Sequence, residues 1–225
     1  QLPKTMVNIQ GTPILSHIVD AYNAVGIKDI VVVRGYKKEA VNLPNLTYVD
    51  NDDFADTGEL DSLLKALRSR KGPAQSTVIS YGDVLFNKYI PQSLCQETDD
   101  CVIFVDSNWQ EQSSYARLGG FTECTIPNSR RAFNAKIYLK QLGDKLPKES
   151  IHGVWMGFLK VSPSAATLIT GIIVELLAKP ANRKAGIPQL LQELLKRQYP
   201  IRVLYTAGHW LDINSIEDVV QAGNF

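Results

Sequence analysis

The feature that most constrains the fold is an alternation of amphipathic helices and β-branched strands over the first 105 residues. Residues 13–26 carry one apolar helical face, which consists of Ile14, Leu15, Ile18, Val19, Tyr22 and Val25. Residues 29–33 are Asp-Ile-Val-Val-Val, which is typical of a strand buried on both faces. Further predicted elements are strands at 46–49, 77–81 and 101–105 and a helix at 59–67. Strands that alternate with helices form right-handed βαβ units, so this half predicts an open, mostly parallel sheet.

The pattern changes after residue 106. Residues 107–150 are polar, with a strand-like piece at 135–139, and are interpreted as an insertion lobe over one edge of the sheet. Later predicted elements are strands at 154–161 and 201–205 and helices at 163–178 and 187–197. Ser162 is the expected cap of the first of these helices, and Ser215, followed three residues later by Asp218, is the expected cap of a final helix. The sequence therefore predicts one α/β domain over residues 1–225, a Rossmann-like, mixed but mostly parallel sheet flanked by helices, with a small lobe at 107–150.

Composition excludes some classes of protein. The 225 residues hold 24 Lys plus Arg and 23 Asp plus Glu, a net charge of +1, so we expect no broad nucleic-acid surface. No apolar run reaches the ~18 residues of a membrane span, so no membrane association is expected. Cys95, Cys101 and Cys124 lack the spacing of a metal site or a disulfide framework, which favours a reducing, cytoplasmic location.

Polar side chains follow two predicted strands. Asp83 comes after the strand at 77–81, and Asp212 and Asn214 come after the strand at 201–205. Ligands collect beyond the carboxyl ends of strands in open α/β sheets, and Mg²⁺ prefers oxygen ligands of this kind. The alternative is that these side chains only cap the following turn or helix.

Other candidates are less specific. Lys4 follows Pro3 and is either a phosphate ligand or a surface charge. Thr57 and Gly58 begin the helix at 59–67, where backbone N–H groups can face a nucleotide or where Asp56 or Thr57 simply caps the helix. The lobe and the strand after it supply Trp109, Arg117, Arg130, Arg131 and Trp155. Arginine pairs well with phosphate or phosphonate, but an Arg pair is also common as plain surface charge.

Taken in order, these pieces resemble the nucleotidyltransferase superfamily. The matching segments are Pro3-Lys4, Gly11-Thr12-Pro13-Ile14-Leu15, Asp83 and the closing segment Trp210 to Asp218. The resemblance implies a nucleotide-diphospho-sugar transferase-like fold and transfer of a nucleoside monophosphate to a phosphorylated acceptor, with release of pyrophosphate. The first strand and Gly-rich loop of that superfamily are missing here. Either they lie upstream of Gln1 or the chain is inactive as given.

A finer resemblance concerns three segments, residues 33–38, 49–60 and 151–157. They look like the cytidylyltransferase domain associated with phosphoenolpyruvate mutase in phosphonate biosynthesis, a cousin of phosphocholine cytidylyltransferases. This resemblance implies CTP and a small acceptor such as 2-hydroxyethyl- or 2-aminoethylphosphonate. It also implies a phosphoenolpyruvate mutase that is fused to this chain or paired with it.

The resemblance also implies roles for the candidate residues. Mg²⁺ is expected on Asp83 and on Asp212 or Asn214, and Lys4, Asp83 and Asp212 are the expected catalytic residues. The nucleotide is expected at Thr57, Gly58, Tyr81 and Gly82. The acceptor is expected at Trp109, Arg117, Arg130, Arg131 and Trp155. The alternatives are a phosphocholine or sugar-1-phosphate nucleotidyltransferase and a non-catalytic nucleotide-binding domain.

Overall fold

Six elements of the first half form close to where the hydrophobic pattern predicts them, and four others lie outside the prediction. The computed structural model describes residues 2–110, 120–132 and 135–223. In chain order the elements are β1 (Asn8–Ile9), β2 (Thr12–Pro13), α1 (Ile14–Ala24), β3 (Val31–Arg34), β4 (Thr47–Asp50), α2 (Glu59–Ser69), β5 (Thr77–Ile79), β6 (Val84–Phe86), α3 (Tyr89–Gln96) and β7 (Cys101–Asp106). Helix α1 begins directly after Pro13. It is closed by Gly26, whose φ of 87° is the left-handed value that such helix ends require.

The second half differs from the prediction in three strands, since two were not predicted and one begins later than expected. Its elements are β8 (Phe121–Cys124), β9 (Leu139–Gly143), β10 (Gly153–Val161), α4 (Pro163–Leu177), α5 (Ile187–Lys196), β11 (Arg202–Thr206), β12 (Trp210–Asp212) and α6 (Ile216–Ala222). The strand expected at 135–139 is misplaced, because residues 135–137 belong to no strand, Tyr138 forms an isolated bridge with Arg202, and β9 begins at Leu139 beside β8. The predicted caps of α4 and α6 are confirmed. Ser162 Oγ accepts from the Ala165 N–H, and Ser215 forms a capping box with Asp218.

The main sheet has six strands and is mixed as predicted, but four of its five described strand pairs are antiparallel. Its order is β11-β7-β10-β8-β9, and β5 also pairs with β10. β11 and β7 are parallel, whereas β10 is antiparallel to β5, β7 and β8. Two neighbouring parallel strands are joined by a crossover connection, which is usually a helix. Between β7 and β10 the described residues instead form the antiparallel pair β8 and β9, and β10 runs antiparallel to β7. The described residues of the lobe at 107–150 therefore extend the sheet through β8 and β9.

Helices lie on both faces of this sheet, so the predicted α/β class is confirmed. Strand β7 alternates between two apolar clusters. Cys101, Ile103 and Val105 meet residues of α2, α4 and α5, while Val102 and Phe104 meet residues of α1 and α3. This period of two is what a strand covered on both faces requires. No helix in the described residues is long and apolar enough to cross a membrane.

Two shorter strand pairs complete the structure. β3 and β4 form a parallel pair, and β6 and β12 form an antiparallel pair. The second pair joins distant parts of the chain, because Asp212 lies opposite Val84. It brings the two segments that carry the predicted metal ligands to one place.

Candidate active site

The β6–β12 pair places Asp83, Asp212 and Asn214 side by side. Asp83 directly precedes β6, and its carbonyl oxygen accepts a hydrogen bond from the Ile213 N–H at 3.0 Å. Asp212 ends β12, and Asn214 follows two residues later. The backbone of the two segments is thus held by sheet hydrogen bonds, which leaves the side chains to converge.

Lys4 lies at the centre of this group. Its Nζ donates to Asp83 Oδ2 and to Asn214 Oδ1, both at 2.8 Å. Asn214 Nδ2 in turn donates to Asp212 Oδ2. The structure therefore brings together all four residues that the sequence placed in the catalytic and metal-binding sets. We call Lys4, Asp83, Asp212 and Asn214 the acid cluster.

Asn214 has two roles that the sequence left as alternatives. Its side chain belongs to the acid cluster, while its backbone N–H donates to Asp218 Oδ2 at 2.8 Å. The Ser215 N–H donates to the same oxygen at 2.8 Å. The start of α6 thus fixes the backbone of Asn214 without using its amide side chain, so capping and ligand binding are compatible.

The acid cluster carries a concentrated negative charge. Asp212 is only 8% exposed, and burial is the main cause that raises the pKa of its carboxyl. The hydrogen bond from Asn214 opposes this rise, and the negative charge of Asp83 adds to it. Two close carboxylates, one of them buried, favour a cation between them, and the Lys4 ammonium supplies a positive charge there.

The chemistry of the donors fits a hard divalent cation. Two carboxylates and one amide oxygen form the set, with no sulfur or imidazole. No group of three or more His, Cys, Asp or Glu side chains suited to a metal occurs in the described residues. This small oxygen set matches the way proteins hold Mg²⁺, with the remaining positions left to substrate phosphate and water. Asp83, Asp212 and Asn214 are the residues that would hold it.

Tyr81 is held firmly beside this group. Its hydroxyl donates to Glu59 Oε2 at 2.7 Å, and its ring lies edge-to-face on Trp155 at a centroid distance of 5.9 Å. A Cβ at Gly157 would lie 2.4 Å from the Tyr81 ring, so the small residue at 157 makes room for it. Burial, followed by the charge of Glu59, raises the pKa of Tyr81 far above its usual range. Tyr81 is a neutral, oriented side chain in this site.

Thr57 and Gly58 have clear structural explanations. Gly58 precedes α2 as its N-cap, and no side chain caps that helix, so the expected cap by Asp56 or Thr57 is wrong. A Cβ at Gly58 would lie 2.4 Å from the backbone of Lys184, so close packing requires glycine there. The Thr57 hydroxyl donates to the Asp53 carbonyl at 2.9 Å. Their contact with a nucleotide stays a prediction.

The sequence analysis missed two residues beside these positions. Asn51 is 2% exposed, and its amide donates to Thr57 Oγ1 at 3.0 Å and accepts from Lys65 Nζ at 2.7 Å. Glu59 accepts both from Tyr81 and from the Ile187 N–H at 3.0 Å. The position of Asn51, directly after β4, is the same strand-end signal that singled out Asp83.

The predicted acceptor residues are not brought together in the described residues. The expectation for Trp155 is wrong as stated, because Trp155 is fully buried and its indole N–H donates to the Phe158 carbonyl at 2.9 Å. Trp109 is half-buried against Phe121, with ring centroids 5.2 Å apart. Arg130 is exposed in a short turn of helix. Arg117 and the side chain of Arg131 lie outside the described residues.

The family is decided by a match over most of the chain. Residues 1–166 match the MobA-like NTP transferase domain. The chain belongs to this family. The predicted class of enzyme, a nucleotidyltransferase, is thereby confirmed. Enzymes of the MobA-like NTP transferase family generally use a divalent metal ion, which agrees with the donors of the acid cluster.

Individual relatives cover nearly the whole chain. It is 26% identical to the CTP:phosphoglutamine cytidylyltransferase of Campylobacter jejuni over 235 residues, which cover 96% of this chain and 89% of that protein. A solved UDP-glucose pyrophosphorylase bound to UDP-glucose matches with a TM-score of 0.75 at 17% identity, over 100% of this chain and 90% of that one. The CTP:phosphocholine cytidylyltransferase of Streptococcus pneumoniae matches with a TM-score of 0.66 at 16% identity, over 99% and 89%. These structures show the same fold.

Proposed function

We propose that this NTP transferase is a cytidylyltransferase, which transfers CMP from CTP to a small phosphonate or phosphate and releases pyrophosphate. The observation that carries the proposal is the acid cluster, where Lys4 Nζ lies 2.8 Å from both Asp83 and Asn214 beyond the strand ends. The choice of CTP is supported by the likeness, over nearly the full chain, to a cytidylyltransferase.

The reaction requires neutralisation of the negative charge on the phosphates and does not require a nucleophile from the protein. An acceptor oxygen attacks the α-phosphorus of CTP and forms the new P–O bond, while the bond to the β-phosphate oxygen breaks and pyrophosphate leaves. The protein contributes position and electrostatic stabilisation. Mg²⁺, when bound, supplies positive charge to the α-phosphate.

The residues of the acid cluster have different proposed roles in this reaction. Asp83, Asp212 and the Asn214 amide would hold the cation. Lys4 is half-exposed, with 48% of its side chain accessible, so its ammonium can turn from Asp83 to a phosphate oxygen. The neutral Tyr81 and the residues around Thr57 form the side of the site that we assign to the nucleotide.

The acceptor that we propose is a small phosphonate such as 2-hydroxyethyl- or 2-aminoethylphosphonate. The support is the resemblance of residues 33–38, 49–60 and 151–157 to cytidylyltransferases of phosphonate biosynthesis. A phosphoenolpyruvate mutase, fused or paired, is then the expected partner. Cys95, Cys101 and Cys124 are free thiols, which supports a reducing compartment such as the cytoplasm.

The test is a pyrophosphate-release screen with the full gene product. Four nucleoside triphosphates are combined with both phosphonates, phosphocholine and glucose 1-phosphate, with Mg²⁺ and with EDTA. We expect kcat/KM to be highest for CTP with a phosphonate, and no release in EDTA. Preference for phosphocholine would contradict the proposed phosphonate acceptor. Preference for UTP with glucose 1-phosphate would contradict both the proposed acceptor and the proposed choice of CTP. Nucleotide binding with no turnover would favour a non-catalytic domain.

The acceptor side is tested at Arg130. We expect Arg130→Ala to raise the acceptor KM about tenfold or more while the KM for CTP stays unchanged, because a dianion loses one charge-assisted pair. Arg131→Ala is measured beside it, as the other member of the arginine pair that the sequence analysis proposed for the acceptor. Arg183→Ala, at another exposed arginine, is the control. If both test variants keep the parental acceptor KM, neither arginine binds the acceptor anion.

A further inference from the structure

A fully buried carboxylate lies at the end of β7 and has no part in the reaction described above. Asp106 is the last residue of β7, and the period of two places its side chain on the same face of the sheet as Val102 and Phe104. That face is apolar, and Asp106 is 0% exposed there. Burial of a carboxylate is costly unless hydrogen bonds satisfy its oxygens, so the partners of Asp106 indicate what it does.

Three N–H donors among the described residues reach this carboxylate. The Trp210 indole N–H donates to Asp106 Oδ2 at 2.8 Å. The Gly208 N–H and the Asn108 N–H donate to Oδ1 at 3.1 Å and 2.9 Å. Asn108 is a near neighbour in the chain, whereas Gly208 and Trp210 lie 102 and 104 residues further along. Asp106 therefore joins the end of β7 to the connection between β11 and β12.

This connection is a tight turn with an unfavourable backbone conformation. Gly208 and His209 both have positive φ values, 74° and 66°. The left-handed region is open to glycine but unfavourable for a residue with a Cβ, such as His209. The turn therefore needs contacts outside itself to keep its conformation. The Asp106 carboxylate provides one by accepting from Gly208, and the Asn87 N–H provides another by donating to the His209 carbonyl at 3.1 Å.

The strand β12 transmits the position of Trp210 to the acid cluster. Trp210 and Asp212 are two residues apart in this strand, so their side chains lie on one face of it. The whole of β12 is paired in register with β6, which Asp83 directly precedes. Because the strand moves as a unit, a displacement of Trp210 along it displaces Asp212 and Asn214 relative to Asp83.

We propose that Asp106 is a positioning residue of the cation site. It holds Trp210, and through β12 it sets the separation between the Asp212 and Asp83 carboxylates. Asp106 is itself buried, so it acts through Trp210 and touches neither substrate nor cation. The inference rests on the proposed role of Asp83, Asp212 and Asn214 in holding a cation. It does not depend on which nucleotide or acceptor is used.

The experiment is a double-mutant cycle with Asp106→Asn and Trp210→Phe, and the measured quantity is the Mg²⁺ concentration that gives half-maximal turnover. The substrates are the pair that the pyrophosphate-release screen finds best. Groups that orient metal ligands typically contribute 10–100-fold to metal affinity, so we expect each substitution to raise that concentration about tenfold or more. The double variant should not exceed the larger single effect, because both substitutions remove the same contact.

Asp100→Asn is the matched control. Asp100 directly precedes β7, at the opposite end of that strand, and its carboxylate accepts from three hydroxyls, those of Ser162, Ser164 and Tyr199. The same substitution there should lower the stability of the fold and leave the half-maximal Mg²⁺ concentration unchanged. The control thus separates a loss of folding stability from a loss of metal positioning.

Hydrogen–deuterium exchange without metal or substrate tests the positioning directly. The amides of Ile213 and Asn87 form hydrogen bonds that hold β12 and the turn before it. We expect both to exchange at least ~10-fold faster in Asp106→Asn than in the parent protein. The Leu60 amide, which belongs to α2 on the other face of the sheet, is the internal reference and should change far less.

Three results would overturn the proposal. The first is an unchanged half-maximal Mg²⁺ concentration, or parental exchange of Ile213 and Asn87, in folded Asp106→Asn. The second is additive effects of the two substitutions, which would show that Asp106 and Trp210 act separately. The third is an equal rise of the half-maximal Mg²⁺ concentration in Asp100→Asn.

Two further outcomes keep the test decisive. If Asp106→Asn does not fold, Trp210→Phe alone decides by the same two measurements, since it removes the contact from the other side and leaves the two backbone donors of Asp106 in place. If no substrate pair turns over, the proposed function fails. The exchange rates of Ile213 and Asn87 then still decide whether Asp106 positions β12.

Discussion

Substitution of Asp83 by Asn separates catalysis from stability in the acid cluster. Asp83 Oδ2 receives a hydrogen bond from Lys4 at 2.8 Å, but the two side chains are 28% and 48% exposed. An ion pair this exposed contributes ~0–1 kcal/mol to folding. The carbonyl of residue 83 still accepts from Ile213 in the variant. We therefore expect the free energy of unfolding of Asp83→Asn to change by less than ~1 kcal/mol.

Turnover should respond far more strongly. Asp83→Asn removes one of two carboxylates that would hold the cation, and loss of a charge-stabilising group of this kind costs ~10²-fold or more in kcat. That factor equals ~2.7 kcal/mol of transition-state stabilisation. The kinetic loss should therefore exceed the stability loss severalfold in free energy.

The assay is pyrophosphate release at saturating CTP and Mg²⁺, with urea unfolding of the same samples. Asp20→Asn is the matched control, since Asp20 lies exposed on α1 and should change neither quantity. Near-parental turnover of Asp83→Asn would refute the assignment. A loss of stability of ~3 kcal/mol with activity falling only as the folded fraction falls would show that Asp83 is structural.

Two further predictions concern residues outside the acid cluster. Trp155→Phe should lower the free energy of unfolding by about 1–3 kcal/mol, because the buried Phe158 carbonyl loses its donor, and the acceptor KM should not change. A raised KM with unchanged stability would instead return Trp155 to the acceptor site. The pKa of Asp100 is lowered by three hydroxyls, those of Ser162, Ser164 and Tyr199. Its carboxylate therefore stabilises the fold above the ordinary carboxyl pKa, and this contribution is lost as pH falls through the lowered value. Asp100→Asn should be less stable than the parent at pH 7 but lose less stability on acidification to roughly pH 3, and parallel urea midpoints for both proteins would contradict this.

The local sequence predicted most helices and strands because their signals act over short distances. The stripe from Ile14 to Val25, the Ser162 and Ser215 caps and the β-branched run at 30–33 each specify an element from neighbouring residues. The direction of β10 was not predicted, since pairing depends on which strand lies beside it in space. The strand near 135–139 was misplaced for the same reason, because its bounds depend on contact with β8.

For the active site, residue type and position after a strand were enough to propose Asp83, Asp212 and Asn214. Lys4 was a less specific candidate, to which the resemblance to nucleotidyltransferases gave a catalytic role. Only the tertiary structure decided that Lys4 joins Asp83 to Asn214, through a β6–β12 pair between residues far apart in the chain. It also decided that Trp155 lies in the core and that Glu59 holds Tyr81. The physical reason is that residue type and spacing along the chain determine which face of an element is buried, whereas the contact partners of a side chain depend on long-range packing.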